Sequence, residues 1–250
     1  MSSDMSQDDL VTSIRFRYEN IRAQIAEASA RSEYSSRAVK LVVVSKAQPL
    51  EVVQAAIEAG ITSFGENYVE EAVQKIDSLR QSGVEWHMIG HVQSRKADQV
   101  VANFALVHSV DGSKLAGRLE RFCGELKRKL PVLLEFNVSG EASKFGIPAW
   151  DESRWPDLLA EIDPIGALAH LKVSGLMTMP PYFSEAEKAR PYFRKLRRLQ
   201  TFLQEHCPWS DWSELSMGTS ADFKVAVQEG ATFVRIGEAI LGPRPKKREL

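Results

Sequence analysis

The chain has 250 residues, 44% of them hydrophobic and 26% charged, and its formal net charge at pH 7 is −1. This balance of charges gives no indication of a nucleic-acid partner or an acidic membrane partner. No apolar run reaches the length of a membrane span, and the polar N-terminus is not a signal peptide. Cys123 and Cys207 show no metal-ligand spacing, so we expect free thiols in a reducing compartment, the cytoplasm.

The first predicted elements are a helix and a buried strand. Apolar residues recur at helical spacing over about residues 9–30, which predicts a helix before the first strand. The run 41–44 is apolar and mostly β-branched, and it predicts a strand that is buried on both faces. Lys46 follows at the strand end, where α/β folds place their chemistry. A lysine in a dry site can attack a carbonyl carbon; the alternative is a lysine that caps the strand with its ammonium in water.

Strand and helix patterns alternate along the rest of the chain. The predicted strands cover residues 41–46, 61–67, 86–90, 106–110, 131–138, 171–179, 214–217 and 233–236. The predicted helices cover residues 51–59, 69–79, 113–130, 152–162, 185–206 and 223–229, and one more begins near Gln93. Eight such units predict an α/β fold, a (β/α)8 TIM-type barrel with an extra N-terminal helix. An open doubly wound sheet is the alternative architecture.

The same pattern predicts the domain organisation. No composition shift, linker or low-complexity segment separates one part of the chain from another. We therefore expect a single barrel domain over residues 1–250, with flexible tails at residues 1–8 and 245–250.

Two segments near the end of the chain predict an anion site. Residues 216–220 (Ser-Met-Gly-Thr-Ser) follow the seventh strand and are predicted to open a helix, and Gly237 follows the eighth strand. Backbone N–H groups at helix N-termini favour negative ligands, and barrels commonly hold phosphate at these two loops. The alternative is an ordinary N-cap by Thr219 or Ser220, with Gly237 as a turn glycine.

Arg235 is a charged residue inside the eighth predicted strand. If buried, it needs a partner, which is either a ligand or an acid such as Glu214. The histidines share no metal-ligand spacing, so we expect no catalytic zinc. A lysine at strand one and an anion site at strands seven and eight together fit a phosphorylated aldehyde. Pyridoxal 5'-phosphate (PLP) is one such ligand, and the sugar phosphate of a Schiff-base aldolase is another.

Seven ordered motifs give the chain a close resemblance to a known family. The motifs are Val44-Ser45-Lys46 with Gln48-Pro49, residues 64–68 (FGENY), residues 86–93 (WHMIGHVQ), Asn137-Val138-Ser139 with Glu141, Lys144 and Gly146, residues 175–179 (GLMTM), Ser216-Met217-Gly218 with Ser220 and Asp222, and residues 234–237 (VRIG) with Gly242 and Arg244. Over about residues 10–244 the chain resembles the pyridoxal phosphate homeostasis proteins, single-domain relatives of the alanine racemase barrel. It departs from the family pattern at Ala47, Thr219 and residues 94–95, and the segment between Pro148 and Leu171 does not match cleanly.

The resemblance implies a role for each matching position. Lys46 would carry PLP covalently as an internal aldimine. Arg235 would face the pyridine nitrogen and keep it unprotonated, which weakens the ring as an electron sink. Asn67 and Met217 would line the pocket, and Lys144 would be a second lysine that takes up or passes on the cofactor. The phosphate would lie among the remaining matching residues, which are Ser216, Gly218, Thr219, Ser220 and Gly237.

The resemblance also implies a function without robust catalysis. The protein would carry and buffer PLP for intracellular homeostasis, with PLP-dependent apo-enzymes as partners. The alternative is a PLP-dependent amino-acid racemase or decarboxylase, and a lysine-imine aldolase without PLP is a third reading. Racemases and decarboxylases of this barrel type carry a second, β-rich domain, which we do not expect in this chain. Without the dimer contacts of that domain, a monomer is expected.

Overall fold

Eight parallel strands close into a barrel in the computed structural model, which describes residues 6–34, 38–79 and 83–245. In chain order the barrel strands are β1 Lys40–Val44, β2 Ser63–Glu66, β3 Glu85–Met88, β4 Leu106–Val110, β5 Leu130–Asn137, β6 Leu171–Met177, β7 Glu214–Thr219 and β8 Phe233–Ile236. Each strand pairs with its neighbour in chain order, and β8 pairs with β1. The predicted TIM-type barrel is therefore confirmed, and the open sheet is wrong. A two-residue strand, Ile147–Pro148, pairs with β5 in addition.

Helices follow the strands and cover the outside of the barrel. Those of the described residues are α1 Gln7–Ala30, α2 Leu50–Glu58, α3 Val69–Ser78, α4 Ala97–Asn103, α5 Ser113–Glu125, α6 Trp155–Gly166, α7 Arg190–His206, α8 Phe223–Gln228 and α9 Glu238–Leu241. The predicted extra N-terminal helix is α1, whose apolar face packs against α2 and α8. None of the helices in these described ranges is long and apolar enough to cross a membrane.

Side-chain alternation along the strands decides what enters the barrel. Val43 packs outward into the large core between the strands and the helices. Val42 belongs instead to a small interior cluster with Leu106, Leu133, Met177 and Phe233. Because strand side chains alternate with a period of two, Val44 and Lys46 follow Val42 toward the barrel axis.

Several predicted boundaries differ from the structure, and the structure explains two of these differences. The helix predicted over 113–130 ends at Glu125, because Lys127 adopts a left-handed φ of 49° and Leu130 already pairs with Leu171. Residues 216–219 do not open a helix but continue β7, and α8 begins only at Phe223. A register shift between Ser216 and Thr219 interrupts the alternation that would have indicated the longer strand.

The predicted tails are only partly covered by the structure. Residues 1–5 and 246–250 lie outside the described residues. Residues 7 and 8 belong to α1 and not to a tail, because the Ser6 side chain caps the helix by accepting a hydrogen bond from the Asp9 amide.

Candidate functional site

A cavity of about 650 Å³ opens at the carboxyl ends of the barrel strands. Its walls include most of the residues that the sequence predicts as cofactor contacts, namely Lys46, Asn67, Lys144, Thr219, Ser220, Arg235 and Gly237. The first and last strands of the barrel are neighbours, so the lysine after β1 and the residues after β7 and β8 meet at one rim. This is the rim at which TIM barrels place their active sites.

Three predicted residues of β7 are not part of the cavity wall. Met217 is expected to line the pocket, but its side chain is fully buried in the core between the strands and the helices and does not reach the cavity wall. The alternation along β7 explains this, because Ser216 faces the barrel interior and Met217 therefore faces outward. Gly218 packs against α8, where an added Cβ would lie 2.5 Å from the Cβ of Ala226.

Lys46 is half-buried in the turn after β1. Burial and the nearby Arg244 guanidinium lower the pKa of its ammonium, against the raising effects of Glu238, Glu66 and Glu71. A lowered pKa increases the share of neutral amine near pH 7, which is the form that attacks a carbonyl carbon. Its position in the cavity wall disfavours the alternative of a strand cap with its ammonium in bulk water.

The charges around the cavity favour an anionic ligand. Four lining side chains are cationic, Lys46, Lys144, Arg235 and Arg244, whereas two are carboxylates, Glu135 and Glu238. A phosphate monoester carries close to two negative charges near neutral pH and fits this excess of positive charge. The lining residues therefore fit the phosphate of PLP.

At the end of β7, some hydrogen-bond donors are already paired within the protein. Asp222 Oδ1 accepts hydrogen bonds from the backbone N–H of Thr219 at 2.6 Å and from the Thr219 hydroxyl at 3.1 Å. The alternative of an N-cap by Thr219 or Ser220 is wrong, because Asp222 occupies the N-cap position of α8. Gly237 lies so close to β1 that an added Cβ would be 3.0 Å from the Val44 carbonyl oxygen.

Arg235 lies at the floor of the cavity and is almost completely buried. Its guanidinium donates to Ser216 Oγ and, at 2.9 Å, to the carbonyl oxygen of Thr178. The alternative partner Glu214 is wrong, because that carboxylate pairs with Lys40 at 2.7 Å. Burial lowers the pKa of Arg235 to about 10, so the side chain remains charged at neutral pH.

Two histidines extend this polar contact through the barrel interior. His108 Nδ1 lies 2.8 Å from Ser216 Oγ, and His108 Nε2 lies 3.0 Å from His87 Nδ1. Burial lowers the pKa of His87 to about 4 and that of His108 well below its usual value, so both rings are neutral at pH 7. Side chains alternate between the two faces of a strand, and this alternation along β3 and β4 is the sequence signal that identifies His87 and His108 as interior residues.

Glu135 is a cavity residue that the sequence reasoning missed. It lies on β5 among apolar neighbours, and this isolated charge in a buried strand is the signal that identifies it. Burial, and then the nearby Asp111, raise the pKa of Glu135 to about 7, against the lowering effect of Arg235. Its Oε2 atom, like Oδ1 of Asn67, is buried and has no hydrogen-bond partner within the described residues.

Aromatic side chains at the cavity mouth were also missed. Tyr68, Phe145 and Tyr182 line the cavity, although 60%, 55% and 83% of their surfaces are exposed. Phe145 stacks on His91 with ring centroids 4.0 Å apart, and His91 Nδ1 lies 3.1 Å from Asp111 Oδ2. Phe145 follows Lys144 directly, so this stack fixes the loop that carries the second lysine.

Comparisons with known proteins identify the family of the chain. The model of the family "Alanine racemase, N-terminal domain" matches residues 17–245. The pyridoxal phosphate homeostasis protein of Vibrio alginolyticus is 39% identical over 239 residues, covering 94% of this chain and 99% of that protein. The structure of PipY from Synechococcus elongatus PCC7942 with PLP bound is 33% identical, with a TM-score of 0.79, and covers 92% of this chain and 100% of that chain.

A more distant structure shares the fold alone. Alanine racemase of Clostridium difficile 630 in complex with cycloserine is 16% identical, with a TM-score of 0.68, and the match covers 94% of this chain but 61% of the racemase. The family match over residues 17–245 and the 39% identity to a full-length relative are much more specific. The chain therefore belongs to the alanine racemase N-terminal domain family and, within it, to the pyridoxal phosphate homeostasis proteins.

Proposed function

We propose that the protein binds PLP and carries it for intracellular cofactor homeostasis, without robust catalysis of its own. One observation carries the proposal: Lys46, with its lowered pKa, shares one cavity with an excess of positive charge at the rim where barrels bind phosphate. The relative with PLP bound and the family to which the chain belongs support it.

Lys46 is the proposed covalent attachment point. Its neutral amine would hold PLP covalently through the aldehyde carbon of the cofactor, with release of one water. We assign the phosphate to the loops at Ser220 and Gly237, with Thr219 held by Asp222 beside them. The unpartnered Oδ1 of Asn67 is left to accept a hydrogen bond from the ligand.

Arg235 is the proposed partner of the pyridine nitrogen. Its guanidinium keeps its proton at neutral pH, so it does not protonate the ring and does not make it a strong electron sink. This chemistry supports storage of the cofactor in preference to racemisation or decarboxylation of an amino acid. Lys144, on the loop at the cavity mouth, is proposed to take up or pass on PLP.

The visible absorption spectrum tests the attachment point. We expect the protein mixed with PLP to show a yellow imine band, and borohydride followed by peptide mass mapping to place the reduced adduct on Lys46. Lys46→Ala should lose the band, whereas Lys144→Ala should retain it and alter only the rate of PLP release. The assignment is wrong if Lys46→Ala shows an unchanged band.

Assays of amino-acid turnover separate the carrier from the alternative. Stereospecific racemisation or decarboxylation at about 1 per second or faster would establish an enzyme and exclude the carrier. We further propose a monomer that delivers PLP to apo-enzymes, which light scattering and transfer assays can check. Both cysteines are free thiols, which supports a reducing compartment such as the cytoplasm.

A further inference from the structure

The turn that presents Lys46 has an unusual backbone. Ala47 adopts a φ of 56°, which is left-handed and disfavoured for a residue with a Cβ. Such a conformation persists only where the surrounding contacts over-determine it. The contacts that hold this turn therefore bear on the direction in which Lys46 points.

Helix α3 supplies two of these contacts from one pair of side chains, beside the backbone hydrogen bond from Gln48 N–H to the Ser45 carbonyl oxygen at 3.1 Å. Lys75 Nζ donates to the carbonyl oxygen of Ser45 at 2.6 Å, and Glu71 Oε1 accepts the backbone N–H of Ala47 at 2.5 Å. Lys75 and Glu71 are four residues apart on α3 and pair with each other at 2.6 Å. Together they hold the carbonyl before Lys46 and the amide after it.

Glu66, at the end of β2, completes the cluster. Its Oε1 accepts from Lys75 Nζ at 2.8 Å and from the Ser45 hydroxyl at 2.7 Å. Lys75 Nζ thus has three acceptors for its three ammonium hydrogens, and the side chains of Lys75 and Glu66 are only 7% and 0% exposed. Buried ion pairs contribute little net stability, and their best-attested use is to specify one arrangement.

We propose that Lys75 and Glu71 are positioning residues of the cofactor site, which fix the turn so that the Lys46 amine points into the cavity. The proposal deepens the function proposed above and rests on it. The charged groups that act on Lys46 come from several elements: Glu66 of β2, Glu71 of α3, Glu238 of α9, and Arg244. Among the charged side chains of the described residues, it is Lys75 and Glu71 that bond the two peptide groups flanking Lys46.

The first test compares rates of imine formation with PLP as a function of pH. At the high-pH plateau Lys46 is deprotonated in every variant, so the plateau rate reports position and not charge. We expect Glu71→Ala and Lys75→Met to lower the plateau at least about tenfold, because a misplacement of about 1 Å can slow a reaction about 100-fold. Glu71→Gln keeps an acceptor for Ala47 and should stay within about threefold of the wild type.

Lys96→Met is the matched control. Lys96 pairs at 2.6 Å with Glu70, which lies next to Glu71 on α3. Lys96 contributes nothing to the turn or to the cavity wall. Its plateau rate should equal that of the wild type. Equal plateau rates for Glu71→Ala and Glu71→Gln would overturn the proposal. These two variants suffice even if Lys75→Met does not fold, because Glu71 is 30% exposed and its substitution should leave the fold intact.

A second test needs no cofactor. Amide hydrogen exchange at Ala47 in the apo protein should be at least about tenfold faster in Glu71→Ala than in Glu71→Gln. If the wild type forms no imine with PLP, the proposed function fails, and the exchange experiment still judges the positioning role. Equal exchange at Ala47 in both variants would refute that role whether or not PLP binds.

Discussion

At the scale of single residues, the two buried carboxyls of the barrel rim, Glu66 and Glu135, differ in their hydrogen-bond partners. Each leaves its Oε2 atom without a hydrogen-bond partner within the described residues, but Glu66 Oε1 accepts hydrogen bonds from Lys75 and Ser45. Burial raises the pKa of Glu135 from 4.5 to about 7. Between these pH values the folded protein keeps a proton that the unfolded chain has released, so this carboxyl lowers stability as pH rises through the window.

Glu135→Gln should therefore stabilise the protein mainly at higher pH. We expect its free energy of unfolding to exceed that of the wild type by up to about 3 kcal/mol more at about pH 8 than at about pH 5. Urea denaturation at both pH values measures this, with Glu205→Gln on the exposed side of α7 as the control. A difference that does not change with pH would show that the carboxyl titrates normally.

At the scale of elements, glycines allow the loops around the cavity to touch. An added Cβ at Gly90 would lie 2.4 Å from the carbonyl oxygen of Asn67, so the loop after β3 packs directly on the loop after β2. Gly117, by contrast, is exposed in α5 with no atom within 4 Å of an added Cβ. An added side chain thus has no room at Gly90, whereas it faces open space at Gly117.

Substitution by alanine should separate these two environments. Gly117→Ala should stabilise α5 by up to about 1 kcal/mol, because alanine is the better helix former. Gly90→Ala should destabilise the protein by about 1–3 kcal/mol and weaken PLP binding, because the clash displaces the backbone of Asn67. Thermal unfolding and titration with PLP check both, and unchanged PLP affinity in Gly90→Ala would remove Asn67 from the ligand.

The bounds of the strands show how much of the fold the sequence predicts. The fourth and eighth strands follow the predicted limits because each is a short, fully buried segment of a closed barrel. The sequence did not predict that the Met217 side chain points outward, because the register shift near the end of β7 disturbs the alternation of inward and outward side chains. The contacts of Lys75 and Glu71 with residues 45–47 were not predictable, since they depend on how α3 packs beside β1 and not on a local pattern.

At the scale of the whole molecule, ligand binding should appear as stability. A ligand that binds only the folded state stabilises it by about 2.7 kcal/mol at a concentration about 100 times its Kd. We expect PLP to raise the free energy of unfolding of the wild type and to have a smaller effect on Lys46→Ala. Pyridoxal, which lacks the phosphate, should stabilise both less. Equal stabilisation of both proteins by PLP would argue against Lys46 as the attachment point.

The closed barrel has a consequence for the empty protein. Every barrel strand in the described part of the chain has a neighbour on both sides, because β8 returns to pair with β1. Strand edges with unpaired N–H and C=O groups are the usual templates for aggregation, and a closed sheet removes them. The closed sheet therefore offers no free edge of a barrel strand to another chain, whether or not a ligand occupies the cavity.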